Sequence, residues 1–404
     1  MLALQEKLAV DGGAPVREKL LPFNAPFIGD EEIAEVVDTL KSGWLTTGPK
    51  TKQFERAFAE YVGAQYAVAL NSCTAGLHLS LVVLGIGAGD EVIVPSLTFG
   101  ATANVVEHVG ARPVIVDVDA KTLCIDLDAV ERALTPRTRA ILPVHYAGLP
   151  CDLKGLQKIA AGKNIVIIED AAHAIGAQYR GQKIGAHSPL VNFSFYANKN
   201  LSTAEGGMVT TNDAALEEKL RVYHLHGLSR DAWKRYQGKT YTPPEIVVPG
   251  FKYNMTDLTA SLGLHQLRRQ ENFLARREQL AAFYDDAFAE LDGIVTTQSR
   301  PRDNTARHAL HFYPLLLELN RVRGARNEII NALLAENIGV SMHFQPLHQM
   351  PYYCEKYRYA PNDLPIAQRI GASEISLPLQ PQMSDADAED VVAAVSKVVR
   401  AYQR

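Results

Sequence analysis

The chain has 404 residues, a length that suits two to three domains at roughly 150 residues each. It is 47% hydrophobic and 21% charged, and its 41 Lys and Arg against 45 Asp and Glu leave a net charge of −4. That balance excludes disorder and argues against a nucleic-acid groove or a polybasic membrane surface. A chain this long buries about three-quarters of its unfolded surface and needs no disulfide or metal staple. Its cysteines, Cys73, Cys124, Cys151 and Cys354, form no CxxC and no paired spacing with histidine, so they read as reduced thiols.

The N-terminal segment, residues 1–30, begins with charges at Glu6, Lys7, Asp11, Arg17, Glu18 and Lys19 and lacks the apolar core of a signal peptide. The longest apolar stretch, Leu77–Ile86, carries His78, Ser80 and Gly85 and is too short to span a bilayer. The expected compartment is the cytoplasm, without membrane attachment. Residues 31–257 form the first large unit. Within it, short β-branched runs alternate with helical patterns: Ala67–Leu70, Glu91–Ser96, Pro113–Asp119, Ala140–Tyr146, Asn164–Asp170, Val191–Tyr196 and Gly207–Asn212. Runs such as Ile165–Ile168 are apolar throughout, the mark of strands buried on both faces of a mostly parallel sheet covered by helices. The expected fold class is therefore α/β, with a mostly parallel seven-stranded sheet. Tyr241–Gly250 reads as a surface loop. Residues 258–291 carry apolar positions at helical spacing without an internal proline, which predicts one long connecting helix. The remainder, 292–404, predicts a smaller α+β domain with a strand at His311–Glu318, a helix at Arg326–Glu336, a short run at Gly339–Phe344 and a final helix from Asp385.

Open α/β sheets bind ligands beyond the carboxyl ends of their strands, so the residues just past each run carry the chemistry. Ser72, Cys73 and Thr74 open a helix, where hydroxyls and free amides can hold an anion or simply cap the turn. Phe99 follows the second run, placed to stack on a flat ligand or to sit in the core. Asp170 ends a buried run and must find a cationic partner there. Lys199 lies just past the sixth run, ahead of the Gly206-Gly207 pair, where desolvation can turn it into an amine nucleophile. Each signal is weak alone. Taken in order, they supply a phosphate seat, a stacking ring, an acid for a pyridine nitrogen and an amine for a Schiff base, which are the parts needed to hold pyridoxal phosphate.

The motifs that carry this order are Ser-Cys-Thr-Ala (72–75), Pro-Ser-Leu-Thr-Phe (95–99), Pro-Val-His-Tyr-Ala-Gly (143–148), Glu-Asp-Ala-Ala-His (169–173), Ser-Phe-Tyr-Ala-Asn-Lys-Asn (194–200) and Glu-Gly-Gly-Met (205–208). With Ser-Gly-Trp-Leu-Thr-Thr-Gly-Pro (42–49), Gly-Phe-Lys-Tyr-Asn-Met-Thr-Asp (250–257) and Val-Ser-Met-His-Phe (340–344), the chain resembles the DegT/StrS nucleotide-sugar aminotransferases over nearly its whole length. Within that family it is most similar to the UDP-4-amino-4-deoxy-L-arabinose–oxoglutarate aminotransferases. The resemblance implies the aspartate-aminotransferase fold (fold type I) and a role for each residue. Lys199 would be the Schiff-base lysine and proton carrier. Asp170 would pair the pyridine nitrogen, Phe99 would stack on the ring, and His173 would sit near its phenolic oxygen. Thr74, Ser194 and the Cys73 amide would hold the phosphate. Asn254 would reach it from a neighbouring subunit, which makes a homodimer part of the site. Trp44, Thr46, Thr47, Glu205 and His343 would line the sugar pocket. No residue is implied as a metal ligand. The chain departs from the family pattern at Cys73, where glycine is frequent, and at Tyr196 and Asn198. Lys199 itself argues against the branch that carries histidine there and dehydrates its substrate.

The implied reaction moves an amino group from glutamate to a nucleotide-linked keto sugar, at C4 of a UDP sugar, with a C3 aminotransferase of a dTDP- or GDP-linked sugar and a non-catalytic cofactor binder as alternatives. A nicotinamide oxidoreductase is suggested only by Gly85-Ile86-Gly87-Ala88-Gly89. That run lacks the GxGxxG spacing and precedes a strand instead of following one.

Overall fold

A computed structural model describes residues 7–229, 243, 245–291, 293–300 and 305–404; residues 241, 242 and 244 of the expected surface loop lie outside the described residues. All seven apolar runs become strands of one sheet: β1 (Tyr66–Leu70), β2 (Glu91–Pro95), β3 (Arg112–Val116), β4 (Thr138–Ile141), β5 (Val166–Asp170), β6 (Leu190–Ser194) and β7 (Gly207–Thr211). Their spatial order is β1-β7-β6-β5-β4-β2-β3. The pairs from β3 through β6 are parallel, while β7 runs antiparallel to both β6 and β1. The run expected to continue to Tyr146 is a regular strand only to Ile141, keeps a bridge from Val144 to Asp170, and ends in a single turn, Tyr146–Gly148, in which Ala147 takes φ 54°.

Alternation along the strands divides the side chains between two cores. Phe193, Phe195 and Met208 face Phe54 and Phe58 on one side, with Phe58 5.0 Å from Phe193 and 5.3 Å from Phe195. Leu70, Val92 and Val209 face the helix Cys73–Val83 on the other. With both faces covered, the polar chemistry is confined to the strand ends. The carboxyl ends of β1, β2, β5 and β6 and the amino end of β7 share one edge, because Ser194 pairs with Gly207 and Gly207 with Leu70. Gly85–Gly89 enters β2 from the opposite edge.

Where apolar spacing predicted one helix over 258–291, there are two, Asp257–Arg268 and Gln270–Phe288, followed by a short 3₁₀ turn. They meet at Arg269 (φ −94°, ψ 0°), whose guanidinium bonds Glu32 and lies over the rings of Phe27 and Phe273. The second helix buries Arg277, which donates to the carbonyls of Leu310 and His311 at 3.0 Å and to that of Leu379. Beyond it, β8 (Val295–Thr297), β9 (Tyr313–Leu317) and β10 (Glu374–Leu377) form an antiparallel sheet with β9 in the centre. Helices Arg326–Ala335 and Asp385–Ala401 cover it through Ile329, Leu333, Val391, Val395 and Val398. The run Gly339–Phe344 forms only a bridge from Ser341 to Ser376. The N-terminal segment packs on this second core through Leu8 and Leu21, and Leu21 exchanges backbone bonds with Asn337 and Gly339. Among the described residues, no helix is long and apolar enough to cross a membrane.

The glycine pair ahead of β7 has a steric cause. A Cβ on Gly207 would lie 2.4 Å from the Ser72 carbonyl carbon and 2.5 Å from the Cys73 amide nitrogen, so only glycine lets β7 start against the helix opening. Gly207→Ala is expected to cost about 1–3 kcal/mol by overpacking rigid backbone. Urea unfolding of the variant measures that loss, and unchanged stability would refute the close approach.

Candidate active site

A cavity of about 470 Å³ opens at the shared strand edge. Its wall includes Cys73, Thr74, Phe99, Asp170, His173, Ser194, Lys199, Glu205 and His343. Nine of the thirteen expected site residues therefore meet in one place. Ser72 caps the helix Cys73–Val83 by accepting from the Ala75 amide at 3.1 Å. The Cys73 and Thr74 amides have no acceptor within the helix, and together with the helix dipole they favour an anion at the cavity floor. The seat needs no basic residue, in keeping with a net charge of −4.

Asp170 closes β5 and is 5% exposed. Its Oδ1 accepts from the Ala172 amide at 3.1 Å and its Oδ2 from the Thr102 hydroxyl at 3.0 Å. Burial pushes its carboxyl above the ordinary value, against those hydrogen bonds and the charge of Lys199. Lys199 follows β6 on a turn closed by its own amide on the Tyr196 carbonyl. Burial pushes its amine down to about 8, and the opposing pull comes from Asp170 and Cys73. Such an amine is half deprotonated at about pH 8, where an ordinary lysine is almost fully charged, and its free base can attack a carbonyl. Phe99 stands at the mouth, 67% exposed, with its ring 6.2 Å from that of Phe344.

The His173 ring lies 4.5 Å from that of His311, tilted 30° to it, and burial holds both well below the usual imidazole range. Asn200 donates to the Ala309 carbonyl and so turns its oxygen to His311 Nδ1 at 3.0 Å. His173 Nδ1, a buried atom of a residue on the cavity wall, is left without a partner.

The other four expected residues do not line this cavity. Asn254 Nδ2 donates to Thr47 Oγ1 at 2.7 Å, Trp44 Nε1 donates to the Thr47 carbonyl at 3.1 Å, and the Thr46 carbonyl accepts from the Asp257 amide at 3.1 Å. They form a second cluster, with Trp44 43% exposed. Conversely, Thr98, Thr102, Met342 and Phe344 were not anticipated, although all but Thr102 line the cavity. Thr102 sits four residues past Thr98 and bonds it at 2.8 Å. That i, i+4 pair of hydroxyls beside Phe99 was the available signal. Met342 and Phe344 flank His343 in the run 340–344, which was the signal for them, although only the fold brings that run to the cavity.

The arrangement fits pyridoxal phosphate: an amide seat for the phosphate, an aromatic face, a buried acid for the ring nitrogen, an activated amine and an unpartnered imidazole nitrogen. Fold and cavity together suit a pyridoxal-phosphate-dependent enzyme, and likeness to known proteins makes it an aminotransferase. The chain belongs to the DegT/DnrJ/EryC1/StrS aminotransferase family, whose model matches residues 26–396. It is 47% identical over 385 residues to the spore coat polysaccharide biosynthesis protein SpsC of Bacillus subtilis, covering 95% of this chain and 98% of that one. It is 50% identical over 384 residues to the uncharacterized protein MJ1066 of Methanocaldococcus jannaschii, covering 95% and 99%. Among solved structures, a putative sugar aminotransferase of Streptococcus pneumoniae, Spr1654, in its PMP form superposes with a TM-score of 0.87 at 37% identity, over 95% of this chain and 98% of that one.

The lowered amine gives a direct prediction. Modification of Lys199 by a small aldehyde, trapped by reduction and read by mass spectrometry, should rise with pH around a midpoint near 8 instead of about 10.4. Asp170→Asn removes a charge that raises the Lys199 value, so its midpoint should fall further. A midpoint unchanged from free lysine would refute the coupling.

Proposed function

We propose that this chain is a cytoplasmic, homodimeric aminotransferase that moves the amino group of glutamate to a nucleotide-linked keto sugar, at C4 of a UDP sugar. The observation that carries the reading is Lys199: a partly buried amine, pushed down to about 8, sharing one cavity with a buried acid and a helix-start anion seat. The sugar as acceptor is supported by relatives named for spore coat polysaccharide biosynthesis and as a sugar aminotransferase. The four cysteines are unpaired, which agrees with a reducing compartment.

When bound, the cofactor supplies an electron sink for the substrate carbon from which a proton is removed. The chain supplies everything else. Cys73 and Thr74 amides and the Ser194 hydroxyl hold the phosphate, and Phe99 covers the ring. Asp170, fixed by Thr102 and the Ala172 amide, keeps a positive charge at the ring nitrogen. Lys199 Nζ would tether the cofactor and, once free, its amine would take the proton from the donor carbon. In the second half-reaction the same amine returns a proton to the sugar carbon. Glu205 and His343 line the cavity and are assigned to the sugar.

The cluster of Trp44, Thr46, Thr47 and Asn254 is assigned to the cavity of a second copy. Ile33, Val37 and Leu40, at i, i+4 and i+7 of the helix Asp30–Ser42, are exposed alongside Trp44 and Leu45. A contiguous apolar stripe on a soluble surface marks an association face.

Lys199→Ala should abolish transfer, and Asp170→Asn should lower kcat by about 10²- to 10³-fold. Both are read as 2-oxoglutarate released from glutamate across a panel of UDP-, dTDP- and GDP-linked 3- and 4-keto sugars. Turnover by Lys199→Ala would sink the assignment, and transfer to a 3-keto sugar alone would move the reaction to C3. Mixed subunits test the shared site. Lys199→Ala refolded together with Asn254→Ala should exceed the summed activity of the two alone, since one of the two sites in each mixed dimer is intact. Strict additivity would place Asn254 outside the partner's site.

A further inference from the structure

Behind the cavity wall at His343 lies a chain of side chains to which the transfer steps above give no role. His343 Nδ1 is 2.7 Å from Ser376 Oγ, the Ser376 hydroxyl reaches Glu374 Oε1, and Glu374 Oε2 accepts the backbone N–H of His343 at 2.8 Å. Glu374 and Ser376 stand two residues apart on β10, hence on one face, and both are fully buried. The imidazole is clamped: Phe312 stacks on it with ring centroids 4.3 Å apart, and Tyr146 donates to the His343 carbonyl.

Hydrogen-bond accounting ties the ends of this chain together. Ser376 has one proton to give. With Glu374 ionised, Ser376 donates to the carboxylate and can only accept from Nδ1–H, which leaves Nε2 with a lone pair. With Glu374 protonated, the carboxyl donates to Ser376, Ser376 donates to Nδ1, and the ring proton must sit on Nε2. We propose that Glu374, acting through Ser376, sets which nitrogen of His343 carries its proton, so that His343 offers the sugar substrate an N–H while Glu374 is protonated and a lone pair once it is ionised. The proton inventory balances. One proton enters at Nε2 from the cavity, the Nδ1 proton passes to Ser376, and the Ser376 proton passes to Glu374 Oε1. Glu374 is a positioning residue in this scheme, and the sugar as ligand rests on the function proposed above.

The surrounding charges favour a tautomer change over a charged ring. Burial pushes Glu374 up to about 8, opposed by the Ser376 hydroxyl, the His343 amide and Arg326 of the helix Arg326–Ala335. Tyr146 faces the same carboxyl and stays neutral, its phenol pushed far up by burial. Burial and the Lys199 charge hold His343 down to about 3, and the neighbouring rings of His173 and His311 are neutral as well. Protons added near neutral pH therefore go to the carboxyl, and the imidazole stays uncharged. Glu374 is raised, so the donor form of His343 is present below about pH 8 and is lost as pH rises through it.

The test is ¹⁵N NMR of the holoenzyme labelled in histidine, with the His343 signals identified by their loss in His343→Gln. The Nδ1 and Nε2 shifts should exchange pattern around pH 8. Glu374→Gln should hold the Nε2–H pattern at every pH, because the His343 backbone N–H claims the acceptor at Oε2, so the glutamine oxygen sits there and its amide N–H donates to Ser376. In the wild type, KM for the sugar should rise roughly three- to tenfold above that pH with kcat little changed, and the glutamine variant should keep a flat KM. One tautomer at all pH values, or an exchange that survives Glu374→Gln, would overturn the relay. An exchange without a change in KM would overturn the contact with the sugar. The NMR reading needs no substrate, so it decides the relay even if no sugar in the panel is aminated.

Discussion

Asp170 places a carboxyl group at the end of a strand whose neighbours on both sides are also buried, and the site is arranged around that charge. A carboxylate there is unfavourable unless donors and a cation compensate it. Thr102 and the Ala172 amide provide the donors, and Lys199 provides the charge that opposes the burial penalty. The compensation is incomplete on both sides: Asp170 remains above its ordinary value and Lys199 remains below its own. An acid that still lacks a full cationic partner and an amine that readily gives up its proton are complementary halves of one binding problem. A cationic heterocycle bearing an aldehyde answers both.

The sheet makes that pairing possible without a flexible arm. The register of β5 on β6 sets Asp170 beside Asn192, and the antiparallel β7 brings Gly207 against the end of β1 and the opening of the helix Cys73–Val83. Amine, acid and anion seat therefore stand on strand ends fixed by backbone hydrogen bonds. Arg277 extends the same rigidity to the second domain. Its buried guanidinium holds the Leu310 and His311 carbonyls, and that segment carries the ring that His173 packs against.

Much of this was legible in the chain because strand ends are local. Four of the seven apolar runs end at, or lead into, a residue that lines the cavity, so Thr74, Phe99, Asp170 and Lys199 could be picked out from order alone, and all seven runs became strands of one sheet. What escaped was non-local or unmarked by periodicity. Val295–Thr297 and Glu374–Leu377 are too short to show alternation, and the second of these carries the partners of His343. Arg269 breaks the expected long helix through contacts with Glu32 and Phe27, more than two hundred residues away in sequence. Phe344 closes the cavity from a segment with almost no regular structure.

The division of the expected site residues into two clusters supports a second copy as a working part of the protein. Asn254 and Thr47 bond each other, and Thr47 also donates to the Met255 carbonyl, while Asp257 accepts from the amides of Gly48 and Thr51 at 2.7 and 2.9 Å. A loop braced this way on its own chain is held in one shape, which suits presentation to another surface better than closure over a cavity of the same molecule. The exposed stripe of Ile33, Val37 and Leu40 leads directly into Trp44 and Leu45. Covering that stripe with an identical stripe is the simplest closed solution for an apolar face. It would carry the braced loop of each copy toward the other, so that burial of hydrophobic surface and completion of the cavity become one event.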